Sequence, residues 1–251
     1  METIFPPNPS NLPKSRFRQS WFRLLRESIL HLAFPHICEG CGTDIIDKEH
    51  YLCLQCLEKL PQTHFESYAD NPVEKIFWGR LPVTAATASY YFTKGATLQH
   101  LLHQFKYKGQ QRLGFYLGQL MGNRLINNPR FQDITALVPL PLFPEKERQR
   151  GYNQAMVLCE GISDVWQRPI IKEAVIRTTA TESQTRKNRM ERWQNMENRF
   201  ELKETTALAN QHILLVDDVV TTGATLESCG RVILEAANTR LSIATLCIST
   251  S

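Results

Sequence analysis

The feature that most constrains the fold of this chain is the segment ILLVDDVVTTGAT, residues 213–225. Its first four residues are leucine, isoleucine and valine without a polar interruption, which is typical of a strand buried on both faces of a parallel sheet. Asp217 and Asp218 follow directly, at the expected carboxyl end of that strand. Open α/β sheets bind their ligands at this end of the strands. The segment therefore predicts an α/β protein with a ligand site beside two carboxylates.

A hydroxyl-rich loop follows the acids and leads into a helical pattern over 226–237. Gly223 permits a tight turn, the first amides of a helix lack internal acceptors, and Thr221 and Thr222 add hydroxyl donors. Together these groups form a cradle suited to phosphate. The alternative is a strand that happens to end in two acids and a threonine that only caps a helix. A dehydrogenase motif would place its glycines before the acid, and a receiver domain would leave the TTG sequence unexplained.

Composition limits the remaining possibilities. The 251 residues, 42% hydrophobic and 22% charged, suffice for one main domain and a small appendage. The net charge of +4 favours phosphorylated ligands but is too small to identify a nucleic-acid binder. No apolar run reaches the roughly 20 residues that span a bilayer, and the apolar segment 21–34 contains charges and precedes no signal cleavage site. We therefore expect a cytoplasmic protein without a transmembrane segment and with reduced thiols.

The N-terminal residues predict a leader followed by one helix. Residues 1–13 contain four prolines and no periodic pattern, which indicates a flexible segment. Residues 20–34 carry an apolar stripe interrupted by arginines, which predicts an amphipathic helix that ends before Pro35. We expect this helix to dock on the body of the protein. The alternative is a basic helix that lies on a membrane surface.

Four cysteines form two Cys-x-x-Cys pairs separated by eleven residues: Cys38, Cys41, Cys53 and Cys56. This spacing is typical of zinc ribbons, in which four thiolates fill a tetrahedral Zn²⁺ shell. A filled shell leaves no open position for catalysis, so the predicted zinc is structural. The alternatives are two redox dithiols or two disulfides.

Two further segments resemble binding loops. Lys106, Tyr107 and Lys108 end a predicted helix, where they could contact nucleic-acid phosphates and bases or simply be solvated at a helix terminus. The other segment follows a predicted strand over 134–138. It reads VPLPL and then RQRGYNQ, so Arg150 could meet a pyrophosphate while Asn153 caps the next helix. An ordinary capped loop is the alternative. The last predicted strand, 241–248, is uncharged and is expected to close the sheet.

The order of these motifs carries a family resemblance. The sequences FPHIC, FKYKG, VPLPL with RQRGYNQ, and VDDVVTTGAT resemble those of the ComF family, which is tied to competence for DNA uptake. The last motif resembles the phosphoribosyl pyrophosphate (PRPP) signature of type I phosphoribosyltransferases. The resemblance covers nearly all of the chain from Phe34 onward. It implies a type I phosphoribosyltransferase-like parallel sheet flanked by helices, with a small N-terminal zinc ribbon built on four cysteines.

The resemblance also implies roles for individual residues. Asp217 and Asp218 would face the two ribose hydroxyls, residues 221–225 would hold the 5-phosphate, and Leu140 would lie at the turn of the pyrophosphate loop. The expected PRPP-binding residues are Asp217, Asp218, Val219, Val220, Thr221, Thr222, Gly223, Ala224, Thr225, Leu140 and Arg150.

The charged segment from Arg177 to Phe200 contains few apolar residues. Such a segment can form a lid that excludes water from a reactive sugar phosphate. The family pattern matches it at Arg177, Thr181, Gln184, Arg192 and Asn195, and Arg192 joins Asp217 and Asp218 as an expected catalytic residue. A solvated helical hairpin is the alternative.

We therefore expect three segments: a leader and helix over 1–34, a zinc-ribbon module over 35–71, and a phosphoribosyltransferase-like domain over 72–251. The first functional hypothesis is a phosphoribosyltransferase that uses Mg²⁺ with PRPP and an unidentified acceptor. The second is a module that binds single-stranded DNA together with other competence proteins. A third is regulation by the level of PRPP without turnover. The resemblance also suggests that the chain can form a homodimer.

Overall fold

The computed structural model describes residues 36–44, 50–93, 96–178 and 200–249. The chain divides into two compact units, Met1–Cys53 and Leu54–Ser251. The domain divisions expected at residues 34 and 71 stay predictions. The helix expected over 20–34 lies outside the described residues, as does most of the expected lid. No helix in the described ranges is long and apolar enough to cross a membrane.

The larger unit alternates helices and strands. Its helices are α1 (Leu54–Glu58), α2 (Pro72–Phe77), α3 (Thr97–Tyr107), α4 (Gln111–Leu125), α5 (Pro144–Arg150), α6 (Gln154–Trp166) and α7 (Ala224–Ile233), and Phe65–Ser67 form a short 3₁₀ turn. Its strands are β1 (Ala86–Tyr91), β2 (Ala136–Pro139), β3 (Val175–Arg177), β4 (Phe200–Leu202), β5 (His212–Val220) and β6 (Arg240–Ile248).

Four strands form a parallel sheet in the order β1-β6-β5-β2. Helices pack against the sheet, and this confirms the α/β class predicted from the sequence. The expectation that the last strand closes the sheet was wrong, because β6 lies between β1 and β5. The absence of charged residues from 241–248 has a physical reason in this position: these eight residues are buried, and a central parallel strand is covered on both faces. Strands β3 and β4 pair separately as an antiparallel hairpin.

Strand β5 is longer than its apolar run. The sequence predicted that the strand would end at Val216, but parallel pairing with β6 continues through Asp217, Val219 and Val220. The two acids therefore lie within the strand rather than after it. Strand geometry points consecutive side chains to opposite faces of a sheet, and pairing with an equally long neighbour supplies the hydrogen bonds that extend β5.

Helices α4 and α6 pack in close backbone contact. A Cβ atom added to Gly161 would lie 2.1 Å from the Phe115 carbonyl oxygen, and one added to Gly118 would lie 2.4 Å from the Leu158 carbonyl oxygen. Only glycine allows the two backbones to approach this closely. At the N-terminus of α6, the Asn153 side chain accepts a hydrogen bond from the Ala155 amide at 2.9 Å. The cap predicted for this segment is confirmed.

Helix α2 begins with two strong local signals. The Asn71 side chain accepts hydrogen bonds from the amides of Val73 and Glu74 at 3.0 and 3.1 Å, and Pro72 occupies the first helical position. Such a cap satisfies amides that have no partner within the helix. The side-chain amide of Asn71 also donates to the Ala86 carbonyl at 2.9 Å, and this bond fixes the helix beside β1.

Candidate functional site

A cavity of about 170 Å³ opens at the carboxyl edge of the parallel sheet. Strands β2 and β5 are parallel, so the loops that follow them meet at this edge. The cavity is lined by Lys106, Leu140, Pro141, Leu142, Arg150, Asn153, Gln154, Ala155, Arg177, Asp217, Asp218 and Thr225. Side chains from five separate segments therefore converge on one place, as in the ligand sites of open α/β sheets.

The two acids differ in their partners. Asp218 is buried, and one of its carboxylate oxygens lies 2.9 Å from the Lys106 ammonium nitrogen. The half-buried Asp217 carboxylate instead accepts a hydrogen bond from the Asp218 amide at 2.8 Å. Burial and the neighbouring Asp218 charge raise the pKa of Asp217 to about 8. One acid of the pair is therefore held as an ion pair with lysine, while the other favours its protonated form.

Three basic side chains face the same cavity as the acids: Lys106, Arg150 and Arg177. Arg150 donates a hydrogen bond to the Gln154 side-chain oxygen at 2.8 Å. The Arg177 guanidinium lies over the Phe143 ring, with its carbon 3.9 Å from the ring centre. This contact holds the guanidinium plane by a cation–π interaction. The cavity thus combines two carboxyl groups with cations that can receive an anionic ligand.

The loop after β5 joins the cavity to the N-terminus of α7. Thr221 and Thr222 are exposed, and Gly223 caps the helix with a φ of 73°. Among the described residues, the amides of 221–223 make no backbone hydrogen bond. The Ala224 amide, at the start of α7, donates to the Thr222 hydroxyl at 3.5 Å. The loop amides 221–223 present a group of donors to an anion. Thr225 is the member of this loop and helix start that lines the cavity.

The loop after β2 forms the opposite wall. The Leu140 amide donates to the Val216 carbonyl at 2.9 Å, and the Leu140 carbonyl accepts from the Asn153 side chain at 3.0 Å. Leu140 is buried, and these two bonds fix the conformation of its backbone at the wall of the cavity. Sequence reasoning named Leu140 and Arg150 but did not assign Gln154 to the cavity. The available signal was its position directly after the Asn153 cap, at the start of the helix that follows this loop.

The segment Lys106–Lys108 is divided between the cavity and the surface. Lys106 lines the cavity, whereas Tyr107 is 65% exposed and Lys108 is exposed. The Arg150 guanidinium lies 5.7 Å from the centre of the Tyr107 ring. The three residues are consecutive at the end of α3, yet only Lys106 reaches the acids. The alternative in which these lysines are simply solvated at a helix terminus therefore does not apply to Lys106.

The charged segment after β3 contributes Arg177 to the cavity. The other residues matched there, Thr181, Gln184, Arg192 and Asn195, lie outside the described residues. The role expected for Arg192 accordingly stays a prediction. Of the loop residues expected to bind ligand, Val220 is buried at the end of β5 and Val219 pairs with Cys247 of β6.

A second site is formed by the four N-terminal cysteines. The sulfur atoms of Cys38, Cys41, Cys53 and Cys56 all lie within 4.8 Å of one another. Those of Cys41 and Cys53 are 3.7 Å apart. A tetrahedral shell with zinc–sulfur bonds of about 2.3 Å separates its sulfurs by about 3.8 Å, so the spacing fits such a metal.

Backbone amides support the same arrangement. The amides of Gly40 and Cys53 donate to the Cys38 sulfur at 3.4 and 3.3 Å. Such bonds stabilise a thiolate. All seven cysteines lie in the described part of the chain and none forms a disulfide. The cluster can therefore hold a metal such as zinc. The His36 ring contacts the His50 carbonyl oxygen at 2.7 Å, and neither residue belongs to the cluster.

Comparison with known proteins agrees with this architecture. The family model described as "Phosphoribosyl transferase domain" matches residues 163–250. The DNA utilization protein YhgH of Escherichia coli strain K12 is 27% identical over 214 residues, which cover 84% of this chain and 83% of that protein. Competence protein F of Haemophilus influenzae is 26% identical over 209 residues, which cover 81% of this chain and 86% of that protein.

Competence protein ComFC of Bacillus subtilis strain 168 is 38% identical over 99 residues, which cover 39% of this chain and 38% of that protein. The chain is similar to these competence and DNA utilization proteins over most of its length. The resemblance inferred from the sequence motifs is thereby confirmed. The matched domain contains β5, the loop after it and α7. The fold of this chain is therefore the predicted α/β fold with a phosphoribosyl transferase domain and an N-terminal four-cysteine cluster.

Proposed function

We propose that the cavity binds PRPP together with Mg²⁺ and that the chain is a phosphoribosyltransferase linked to DNA uptake. The observation that carries this proposal is the convergence of Asp217, Asp218 and Thr225, at the end of the loop 221–225, with three cations on one cavity. PRPP has a phosphate at one end, two ribose hydroxyls in the middle and a pyrophosphate at the other end. A site for it needs anion donors at both ends and hydrogen-bonding groups between them.

Each part of the ligand has a candidate partner. The amides and hydroxyls of 221–225 would hold the 5-phosphate at the N-terminus of α7. Asp217 and Asp218 would bind the ribose hydroxyls. The backbone around Leu140, with Arg150, would receive the pyrophosphate from the opposite wall. Lys106 lies within reach of Asp218 and would balance its charge when the ligand is bound.

The protonation of the acids suits two hydroxyl groups. Because the pKa of Asp217 is about 8, this side chain is largely protonated at pH 7 and can donate a hydrogen bond to a ribose oxygen. The Asp218 carboxylate, held by Lys106, can accept a hydrogen bond from the second hydroxyl. This arrangement would fix the sugar without placing two uncompensated charges in the cavity.

The proposed reaction is a substitution at the anomeric carbon. The lone pair of the acceptor forms the new bond to that carbon as its bond to pyrophosphate oxygen breaks, and the bonding electrons leave with pyrophosphate. When bound, Mg²⁺ supplies charge neutralisation at the pyrophosphate oxygens. The residues of this chain would contribute by orienting the sugar and by stabilising positive charge on the ring through the Asp218 carboxylate.

The experiment is a pyrophosphate-release assay with PRPP, Mg²⁺ and a panel of nucleobases, amines and single-stranded oligonucleotides as acceptors. We expect acceptor-dependent release that falls by at least about 100-fold in Asp217→Ala, because the sugar would lose one of its two anchors. Equal release by the wild type and by this variant would contradict the proposed site. Release without an acceptor would identify hydrolysis instead of transfer.

A second candidate function has its own observation. Tyr107 is exposed beside the cavity, with Arg150 near its ring and the exposed Lys108 next to it. An aromatic ring with adjacent cations is suited to stacking and phosphate contact with single-stranded DNA. This function predicts salt-sensitive binding of an oligonucleotide that is lost in Lys106→Glu and Lys108→Glu. PRPP would then be a regulatory ligand or have no role.

The remaining proposals concern the metal and the setting. We propose that the four-cysteine cluster holds Zn²⁺ in a structural role, because four thiolates complete its shell. We also propose that the chain works in the cytoplasm with other competence proteins. A homodimer is part of this proposal, and sedimentation velocity tests it directly.

A further inference from the structure

Arg80 connects the turn after α2 to the loop 221–223, although the two lie far apart in the sequence. One guanidinium nitrogen donates to the Thr222 carbonyl at 3.0 Å and to the Ile76 carbonyl at 3.2 Å. The other guanidinium nitrogen forms an ion pair with the Glu227 carboxylate. A planar guanidinium can make such contacts together in a fixed geometry, whereas an ammonium cannot reproduce them all. Arg80 therefore joins the loop to both α2 and α7.

The negative charge of Glu227 disfavours an anion bound at the start of α7. Glu227 lies in the first turn of α7, where its negative charge would oppose a phosphate at the helix N-terminus. Arg231 donates to its carboxylate at 2.7 Å, and Arg80 binds the other oxygen. Hydrogen bonds from Arg231 and Arg80 lower the pKa of Glu227, so the carboxylate stays charged and paired. The two arginines thus offset this charge close to the loop.

The loop also packs directly against α2. A Cβ atom on Gly223 would lie 2.5 Å from the Ile76 side chain and 3.0 Å from the Phe77 ring. Arg231 additionally donates to the Arg80 carbonyl at 2.6 Å, which holds the turn after α2 in place. Contacts with α2 and with Arg80 therefore help to determine the conformation of the loop, in addition to its own sequence.

We propose that Arg80 is a positioning residue for the anion-binding loop: it holds the Thr222 carbonyl and neutralises Glu227, so that 221–225 can accept the phosphate ester of a sugar phosphate. This inference rests on the proposed function for the identity of the ligand. The contacts of Arg80 stand independently of it. Substitution of Arg80 should therefore weaken the binding of a phosphate ester at the loop 221–225. It should leave the binding of pyrophosphate at the opposite wall unchanged.

The test compares ribose 5-phosphate with inorganic pyrophosphate, each titrated by calorimetry in the presence of Mg²⁺. The variants are Arg80→Met, the conservative Arg80→Lys and the control Lys75→Met. Lys75 is exposed in α2 and contacts the Trp78 ring at 5.7 Å. We expect Arg80→Met to weaken ribose 5-phosphate binding about tenfold or more, with pyrophosphate affinity unchanged. Arg80→Lys should recover part of the loss because it restores the charge, and Lys75→Met should behave as the wild type.

The outcomes separate this inference from the proposed function. Unchanged ribose 5-phosphate affinity in Arg80→Met, or an equal loss for both ligands, overturns the role of Arg80 while leaving the site itself intact. If the wild type binds neither ligand, the proposed function fails instead. Amide hydrogen exchange over 224–230 in the ligand-free proteins then decides the inference: faster exchange in Arg80→Met supports the positioning role, and unchanged exchange contradicts it.

Discussion

The Lys106 ammonium nitrogen lies 2.9 Å from a carboxylate oxygen of Asp218, so the end of α3 is joined to the centre of the parallel sheet by an ion pair. Both side chains line the cavity and are mostly buried, with 20% and 11% of their areas exposed. Such a pair is costly to break, since removing one partner leaves a buried charge without compensation. The FKYKG motif thereby becomes part of the candidate site and not only a surface feature.

This pair gives a prediction that separates the two neighbouring lysines. Lys106→Met should weaken PRPP binding about tenfold or more, because Asp218 would lose the cation that balances it. Lys108→Met should change the affinity less than about twofold, because this side chain is exposed and does not line the cavity. Calorimetry with PRPP and Mg²⁺ measures both values.

Equal effects of the two substitutions on PRPP affinity would contradict the assignment of Lys106 to the cavity. If both instead abolish binding to a single-stranded oligonucleotide while PRPP has no measurable affinity, the nucleic-acid function is favoured. The ion pair therefore distinguishes the two proposed functions through a single pair of variants.

The pH dependence of stability tests the environment of Asp217. The pKa of this group is about 8 in the folded chain, against 3.8 for an ordinary aspartate. Between these values the folded state holds the proton that the unfolded state has lost, so stability falls as the pH rises from 4 to 8. An asparagine side chain cannot ionise, so Asp217→Asn should gain stability relative to the wild type over this range, by on the order of a few kcal/mol at pH 8.5. Urea unfolding at pH 5, 7 and 8.5 measures the difference.

Glu227→Gln provides a control of opposite sign. Arg231 and Arg80 lower the pKa of Glu227, so its contribution to stability is present at neutral pH and is lost as the pH falls through its lowered pKa. This variant should be less stable than the wild type at pH 7 and approach it in acid. A constant difference between Asp217→Asn and the wild type from pH 5 to 8.5 would contradict the raised pKa of Asp217.

Local patterns in the sequence were sufficient for much of the fold. The end of α3, the Asn153 cap and the two Cys-x-x-Cys pairs depend on neighbouring residues, and each is where it was predicted. The order of strands depends on long-range pairing instead. An uncharged C-terminal strand can lie at the centre of a sheet or at its edge, so the sequence did not predict the internal position of β6.

The same distinction applies to the candidate site. Asp217, Asp218 and the glycine loop form a contiguous motif, so the sequence indicated them directly. The ion pair of Lys106 with Asp218 joins residues 112 positions apart, and a lysine at a helix end has the same local signature whether it is solvated or paired. Arg80 carried no motif at all. Its contacts arise because the turn after α2 packs behind the loop.

Gly223 should be the glycine least tolerant of substitution near the site. Its φ of 73° is strained for other residues, and an added Cβ would also meet the Ile76 side chain at 2.5 Å. Gly151 has a similar φ of 82° with no atom within 4 Å of an added Cβ, so it serves as a matched control. Gly151→Ala should cost about 1 kcal/mol of unfolding free energy and Gly223→Ala about 2–4 kcal/mol. Equal costs by urea unfolding would contradict the close packing of the loop on α2.

Metal content tests the cysteine cluster. We expect the purified protein to contain about one zinc ion per chain by plasma mass spectrometry, because four thiolates complete one tetrahedral shell. Cys41→Ala should lose this metal, whereas Cys159→Ala should keep it, since Cys159 is buried in α6 and lies outside the cluster. A chelator should destabilise the wild type and leave Cys41→Ala unchanged. Full zinc content in Cys41→Ala would contradict the assignment of this residue as a ligand.

The central claim is that the cavity beside Asp217 and Asp218 binds PRPP. Its most direct test is calorimetric titration of the wild-type protein with PRPP, with and without Mg²⁺. We expect saturable binding of one PRPP per chain, with higher affinity in the presence of Mg²⁺. Binding should be lost in Gly223→Ala, which changes the loop but no charged group. Absence of binding at millimolar PRPP with Mg²⁺, or unchanged affinity in Gly223→Ala, would contradict it.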